Sequence, residues 1–279
     1  MKFSKMHGLG NDFVIVNALA EKKLGNLEEL AKRVCHRNFG IGADGLILVL
    51  PSEEADIRMR IFNSDGSEPE MCGNGIRCFA RYIYQESIVP KEVIRVETLA
   101  GIIVPRLITE GSLISGIQVD MGPPVLDPDQ IPVRGYASAP VVDVPLEVDG
   151  QTLSITAVSM GNPHCVVFVP DLDAVFFDTL GPKLETHPAF PRKTNVEFVQ
   201  VINNEKVKVR VWERGAGPTL ACGTGACAVA VAGSLSGRTS RKVTVCLPGG
   251  DLDILWDQHD NRVYMTGPAV EVFRGEFFI

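Results

Sequence analysis

Apolar and polar positions alternate strictly in two stretches of the chain, Ile57-Arg-Met-Arg-Ile-Phe-Asn63 and Val207-Lys-Val-Arg-Val-Trp-Glu213, and each closes on an aromatic and then a polar side chain. A period of two places every apolar side chain on one face of an extended backbone, so both read as half-buried strands. Other alternating or Val/Ile-rich runs predict strands over Val14–Asn17, Gly45–Leu50, Val93–Thr98, Gly116–Asp120, Cys165–Val169, Val196–Ile202, Val243–Leu247 and Leu252–Trp256. Helical patterns are fewer, at Leu27–Asn38, Gly75–Glu86 and Gly225–Gly237. The balance predicts a mixed α/β chain of the α+β kind.

The two alternating strands belong to a longer internal repeat. Nine residues after Asn63 comes Cys72-Gly-Asn-Gly, and nine residues after Glu213 comes Cys222-Gly-Thr-Gly, a constant offset of 150. Across this stretch only Arg60/Arg210, Cys72/Cys222, Gly73/Gly223 and Gly75/Gly225 are identical, and three of these four pairs fall in one motif. Such concentration points to retained chemistry. Gly10-Asn11 and Gly161-Asn162 echo each other at an offset of 151, and Asp120-Met-Gly-Pro123 is echoed by Tyr264-Met-Thr-Gly-Pro268. Repetition of this kind predicts two pseudo-symmetric lobes. The first covers residues 1–122, is completed by the last strand within 268–279, and carries Cys72. The second covers 123–267 and carries Cys222, with the active site expected in the cleft between the lobes. Pro123, Pro124, Pro128 and Pro132 make the crossing stiff.

Composition narrows the choice. With 45% hydrophobic and 22% charged residues the chain can bury a core, unlike a disordered sequence. A net charge of −7 without a polybasic run argues against nucleic acid and against an anionic membrane surface. No 7–15-residue apolar stretch follows the N-terminal lysines, so no secretory signal is read there. The most apolar run, Gly225 to Leu235, is too short to span a bilayer and reads as a buried helix. Seven cysteines, an odd and unevenly spaced set, do not form a secreted disulfide framework, which predicts a reducing, cytoplasmic setting.

Each Cys-Gly-x-Gly directly precedes a predicted helix, so Cys72 and Cys222 are expected at helix N-terminal mouths. Unpaired N–H groups and the positive end of the helix dipole lower a thiol's pKa there, and the same N–H groups cradle a carboxylate that glycine lets come close. Two thiols facing one carbon from opposite sides would suit stereo-inversion, one removing a proton and the other delivering one. Cys35, Cys165 and Cys246, together with Cys78 and Cys227 on helix bodies, read as core residues. The Cys72/Cys78 and Cys222/Cys227 spacings are not those of zinc knuckles, no Cys-x-x-Cys redox pair occurs, and no Gly-x-Gly-x-x-Gly follows a strand.

The segments Asn63-Ser-Asp-Gly-Ser-Glu-Pro-Glu-Met-Cys72-Gly-Asn-Gly-Ile-Arg77 and Glu213-Arg-Gly-Ala-Gly-Pro-Thr-Leu-Ala-Cys222-Gly-Thr-Gly225 resemble the two signature regions of the diaminopimelate epimerases. Met6-His-Gly-Leu-Gly-Asn-Asp-Phe13 and Ser159-Met-Gly-Asn-Pro-His164 are similar to that family as well, so the likeness spans essentially the whole chain. The resemblance implies a PLP-independent epimerase, without cofactor or metal, that interconverts LL- and meso-2,6-diaminopimelate in the lysine and peptidoglycan route. It implies lobes that each wrap a strand-rich, barrel-like sheet around a central helix, usually in a homodimer. Cys72 and Cys222 would be the acid/base pair, with Cys222 the acceptor in the LL to meso direction. Gly73, Asn74, Gly223 and Thr224 would present N–H groups to the reacting carboxylate. Asn11, Asn63, Asn162, Asn195, Glu213 and Arg214 would line the substrate site, and His164 and Glu213 would adjust the thiols. A ligand with two ammonium and two carboxylate groups does call for amides, which donate and accept, and for an Arg fork. Where this chain has Gly45 some relatives carry Gln, so no side-chain contact is carried over to that position.

Two alternatives stay open at this point. Proline racemases and hydroxyproline epimerases resemble this architecture and also pair cysteines in Cys-Gly motifs, although their compact substrate has no need of the amide set. A duplicated amino-acid-binding protein with structural cysteines is the non-enzymatic alternative.

Overall fold

A computed structural model of the chain describes residues 1–21, 24–111 and 113–278. Its elements alternate short helices with many strands: β1 (Lys2–Gly8), β2 (Asn11–Asn17), α1 (Leu27–Cys35), β3 (Gly45–Leu50), β4 (Ile57–Asn63), α2 (Gly73–Gln85), β5 (Val96–Thr98), β6 (Gly101–Ile103), β7 (Arg106–Glu110) and β8 (Leu113–Asp120). There follow β9 (Val144–Val148), β10 (Gln151–Ser159), β11 (Pro163–Phe168), α3 (Phe177–Glu185), β12 (Asn195–Asn203), β13 (Lys206–Glu213), β14 (Gly217–Thr219), α4 (Gly223–Leu235), β15 (Lys242–Leu247), β16 (Gly250–Trp256), β17 (Val263–Gly267) and β18 (Val270–Glu276). The fold is strand-rich α+β. Two compact units divide it: Met1–Asp120 with Thr266–Ile279, and Met121–Met265. Ile279, the end of the expected last strand, lies outside the described residues.

In the first unit the sheet runs β18-β1-β2-β3-β4-β5-β6. β2 and β3 are parallel, with Phe13 opposite Gly45, and β3 and β4 are antiparallel, with Ile47 opposite Ile61. α2 packs against β1 to β4 and against β7 and β8. It buries Ile76, Phe79, Ala80 and Ile83, the i, i+3, i+4, i+7 stripe of a helix that lies on a sheet. On the sheet's other side α1 covers β3 and β4, closing a core of Val14, Val16, Leu30, Val34, Leu46 and Leu48.

The second unit repeats this plan. Its strands run β17-β16-β15-β13-β12-β11-β10-β9. β11 and β12 are parallel, with His164 opposite Asn195, and β12 and β13 are antiparallel, with Glu197 opposite Val211. These pairings reproduce Phe13/Gly45 and Ile47/Ile61 at the offsets of 151 and 150 found in the sequence, so the repeat extends to strand register. α4 lies against β10, β11, β12, β15 and β16. Its residues Gly225 to Gly233 are buried all round, as expected of an apolar helix wrapped by strands.

The predicted elements shift in physically readable ways. The two Cys-Gly-x-Gly helices begin at Gly73 and Gly223, because each cysteine is itself the N-cap and both glycines lie in the first turn. α1 stops at Cys35 instead of Asn38, where the carbonyls of Val34, Cys35 and His36 receive the N–H groups of Gly40, Ile41, Gly42 and Ala43. α3 was not anticipated, since Gly181 and Pro182 sit inside it. Gly181 is there because a Cβ would press to 2.6 Å on the Trp212 ring. Cys246, read as core, is half-exposed on β15. Among the described residues no helix is long and apolar enough to cross a membrane.

Candidate active site

The first half-site is built from a hairpin turn and a helix mouth. The β1–β2 hairpin turns through Leu9 and Gly10 in the left-handed region (φ 59° and 88°), which delivers Asn11 at the start of β2. Cys72 caps α2 in extended conformation, and its Sγ accepts the Gly75 N–H at 3.4 Å. Asn11 Oδ1 lies 3.8 Å from that sulfur and accepts from Asn74 Nδ2 at 3.1 Å, so the hairpin amide faces the thiol. Asn74 in turn accepts from the fully buried Arg77, which also holds the carbonyls of Gly73 and Pro268. Asn63, the remaining expected member in this unit, is exposed and bonds Ser67 Oγ instead of this group.

Behind Asn11 stands a charge network not anticipated from sequence. Asp44 Oδ2 accepts from Asn11 Nδ2 at 2.8 Å, Arg37 bridges Asp44 and Asp12, and the buried Lys5 bonds both Asp12 and the Gly42 carbonyl. Burial would raise the Asp12 carboxyl, but hydrogen bonds from Arg37 and Lys5 outweigh it and hold Asp12 down at about 2. The segment Gly40-Ile-Gly-Ala-Asp44-Gly45 was the available signal. At Gly45 a Cβ would stand 2.8 Å from the Phe62 carbonyl, so the strand itself keeps this position bare.

The second half-site uses the same two devices. Gly161 turns in the left-handed region (φ 89°) ahead of Asn162, and Cys222 caps α4 with Sγ 3.3 Å from the Gly225 N–H and 3.5 Å from Thr224 Oγ1. Asn162 Oδ1 lies 2.9 Å from His164 Nε2, and the other ring nitrogen lies 2.7 Å from Glu197 Oε1. His164 and Glu197 are both completely buried. Asn195, also buried, spends its oxygen on the Arg214 N–H and one amide hydrogen on the Pro163 carbonyl. It therefore shapes the turn that carries Arg214, whose exposed guanidinium bonds the Arg192 carbonyl. Glu213 Oε1 accepts from Thr219 Oγ1 at 2.7 Å.

Electrostatics at Cys222 run against the simple helix-mouth expectation. Its thiol is raised well above the ordinary cysteine value, first by burial and then by the charges of Glu213 and Glu197; the Thr224 and Gly225 hydrogen bonds oppose this without prevailing. Glu213 is itself raised, chiefly by burial, with the Glu197 charge adding and bonds from Thr219 and Cys222 opposing. Each group thus resists its charged form while the other is ionised. Burial pushes the core cysteines Cys35 and Cys78 up as well, to about 12. Glu197 was missed from sequence because it lies within an apolar strand run, although the repeat makes it the counterpart of Ile47 in the first unit.

A model of the family Diaminopimelate epimerase matches residues 3–126 and 156–272. A diaminopimelate epimerase of Moorella thermoacetica is 66% identical over 277 residues, covering 99% of each chain, and one of Heliobacterium modesticaldum is 61% identical over 279 residues, again covering 99% of each. Among solved structures, a phenazine biosynthesis protein of the PhzF family from Bacillus anthracis superposes with a TM-score of 0.74 at 18% identity, covering 100% of this chain and 99% of its own. A hydroxyproline epimerase from Agrobacterium vitis gives 0.68 at 14% identity, covering 99% and 91%. The structural likenesses establish the fold, while the near full-length sequence matches go further: the chain belongs to the diaminopimelate epimerase family.

Proposed function

We propose that the diaminopimelate epimerase activity of this isomerase runs through two thiols, Cys72 and Cys222, acting on one α-carbon from opposite faces. The single observation that carries the reading is the duplication itself. Each unit caps its central helix with a cysteine whose sulfur meets the N–H of the second glycine of Cys-Gly-x-Gly, at 3.4 Å in one unit and 3.3 Å in the other. In the LL to meso direction Cys222, as thiolate, takes the α-proton, and the electron pair spreads onto the α-carboxylate. That carboxylate sits against the helix-mouth N–H groups of Gly73, Asn74, Gly223 and Thr224, where growing negative charge is stabilised. Cys72 then delivers its proton to the other face, leaving Cys72 as thiolate and Cys222 as thiol, and the meso to LL turnover runs in reverse.

Glu213 accepts the Cys222 proton that must leave before abstraction, which fits the raised affinity of its buried carboxyl for a proton. Asn11, Asn63, Asn162, Asn195 and Arg214 make up the rest of the substrate set, with His164 adjusting the Cys222 side. No step calls for a cofactor or metal, and the partner is the small molecule. Free thiols are a condition of the chemistry, which favours the reducing cytoplasm. A homodimer fits β18, an edge strand of its sheet that exposes Val270, Val272 and Phe273. The direct check is substitution: Cys72→Ala and Cys222→Ala each abolish epimerisation while diaminopimelate still binds. A duplicated binding protein would keep its function in both variants, and an enzyme of the proline racemase kind would turn over L-proline.

A further inference from the structure

Glu197 is completely buried, and its Oε2 has no hydrogen-bond partner among the described residues, while Oε1 is 2.7 Å from His164 Nδ1. A buried carboxylate held on one oxygen is costly, and pairs of this kind are often neutral or unfavourable for stability. The fold does not demand it. At the equivalent places in the first unit, set by the same strand register, stand Phe13 and Ile47, and the space under Gly75 is filled by the methyl ends of Ile61 and Ile47. Hydrocarbon therefore serves one unit where the other keeps an ionisable pair.

The hydrogen bonds of the ring say what the pair does. Asn162 Oδ1 can only accept, so the 2.9 Å contact requires a proton on His164 Nε2. Nδ1 then either donates to an ionised Glu197 or accepts from a protonated one; in both cases one proton lies between Nδ1 and Oε1. With its oxygen taken by the ring, the Asn162 amide has its NH2 directed away from His164, as a donor.

We propose that Glu197 is a positioning residue of the Cys222 half-site: by holding His164 Nδ1 it makes Nε2 a donor to Asn162 Oδ1, and so fixes the Asn162 NH2 to receive a substrate carboxylate and not an ammonium. This rests on the reading of the half-site as part of an epimerase. Gln at position 197 can donate its own N–H to Nδ1 and keep the relay, whereas Met cannot.

Steady-state kinetics on wild type, Glu197→Gln, Glu197→Met, Asn162→Ala and the Glu197→Met/Asn162→Ala double variant test the relay. Glu197→Met raises KM for diaminopimelate about ten-fold, the equivalent of one lost hydrogen bond, and Glu197→Gln restores KM; any change in kcat from losing the Glu197 charge beside Cys222 is common to both variants. In the Asn162→Ala background Glu197→Met adds nothing further to KM, because the relay has lost its end point. Additive effects, or equal damage from Gln and Met, overturn the proposal, as each would mark Glu197 as a packing residue only. Nitrogen-15 NMR of the histidines in the wild-type protein tests the relay with no variant and no turnover. A protonated Nε2 on His164 is expected, and an unprotonated Nε2 with a proton on Nδ1 alone refutes the relay. Failure of the wild type to exchange the α-proton would instead remove the epimerase reading and leave the NMR result standing.

Discussion

Gly225 lies directly over Glu197: a Cβ at that glycine would stand 2.8 Å from Glu197 Oε1. At the matching Gly75 a Cβ would meet Ile61 Cδ1 at 3.1 Å. One motif thus covers a carboxylate pinned by a histidine in one unit and the movable end of an aliphatic chain in the other. Its second glycine is therefore sterically required in the second unit and only lightly constrained in the first.

This contrast predicts unequal outcomes for one substitution. Gly225→Ala forces either the Glu197 carboxylate or the α4 backbone to move. It costs about 1–3 kcal/mol, less what alanine returns in helix propensity, and lowers kcat/KM. Gly75→Ala needs only a small shift of the Ile61 side chain and changes the melting temperature little. Thermal unfolding of the two variants side by side checks this, and equal losses would contradict the asymmetry.

Asp12 ties acid stability to the Asn11 network. Its folded-state value of about 2 lies below the ordinary 3.8, so ionised Asp12 contributes stability that is fully present above the unfolded value and is lost as pH falls from about 4 to 2. The shift corresponds to about 2 kcal/mol. Asp12→Asn therefore lowers stability at neutral pH and flattens the acid limb over that window. Urea unfolding at a series of pH values measures both effects, and parallel curves for the variant and the wild type would contradict them.

Burial does most to raise the Cys222 thiol, and the charge of Glu213 adds to it. Removing that charge in Glu213→Gln moves the Cys222 titration down, so a small alkylating reagent modifies this residue at a lower pH than in wild type. Mass spectrometry of the Cys222 peptide over a pH series reads the midpoint directly. A midpoint that stays put or rises would mean the carboxyl is already protonated beside the thiol.

How much of this was legible in the sequence follows from where the signals lie. Cys72 and Cys222 stood out because an identical motif recurred at a fixed offset, and that offset proved to be one of strand register. Asn11 and Asn162 were singled out because Gly10-Asn11 and Gly161-Asn162 echo each other at an offset of 151; in the structure each of these glycines turns in the left-handed region. Glu197 and Asp44 were not, since each acts through a neighbour, His164 or Asn11, that only folding brings beside it. The helix-mouth argument foresaw the Gly225 N–H at the Cys222 sulfur but not the burial and the two carboxylates that outweigh it. α3 escaped because its glycine and proline, breakers by propensity, are overruled by the closeness of Trp212 to Gly181.

The central claim is that two opposed thiols invert one α-carbon, and isotope entry from solvent tests it most directly. LL-diaminopimelate is incubated with the reduced enzyme in D2O, and substrate and product are analysed at early times. With two thiols, the meso product carries one deuterium at the inverted carbon from the first turnover, because the donor thiol has already exchanged with solvent. Recovered LL substrate stays nearly unlabelled, and L-proline takes up none. Equal labelling of substrate and product at early times, or no labelling of either, would contradict the account.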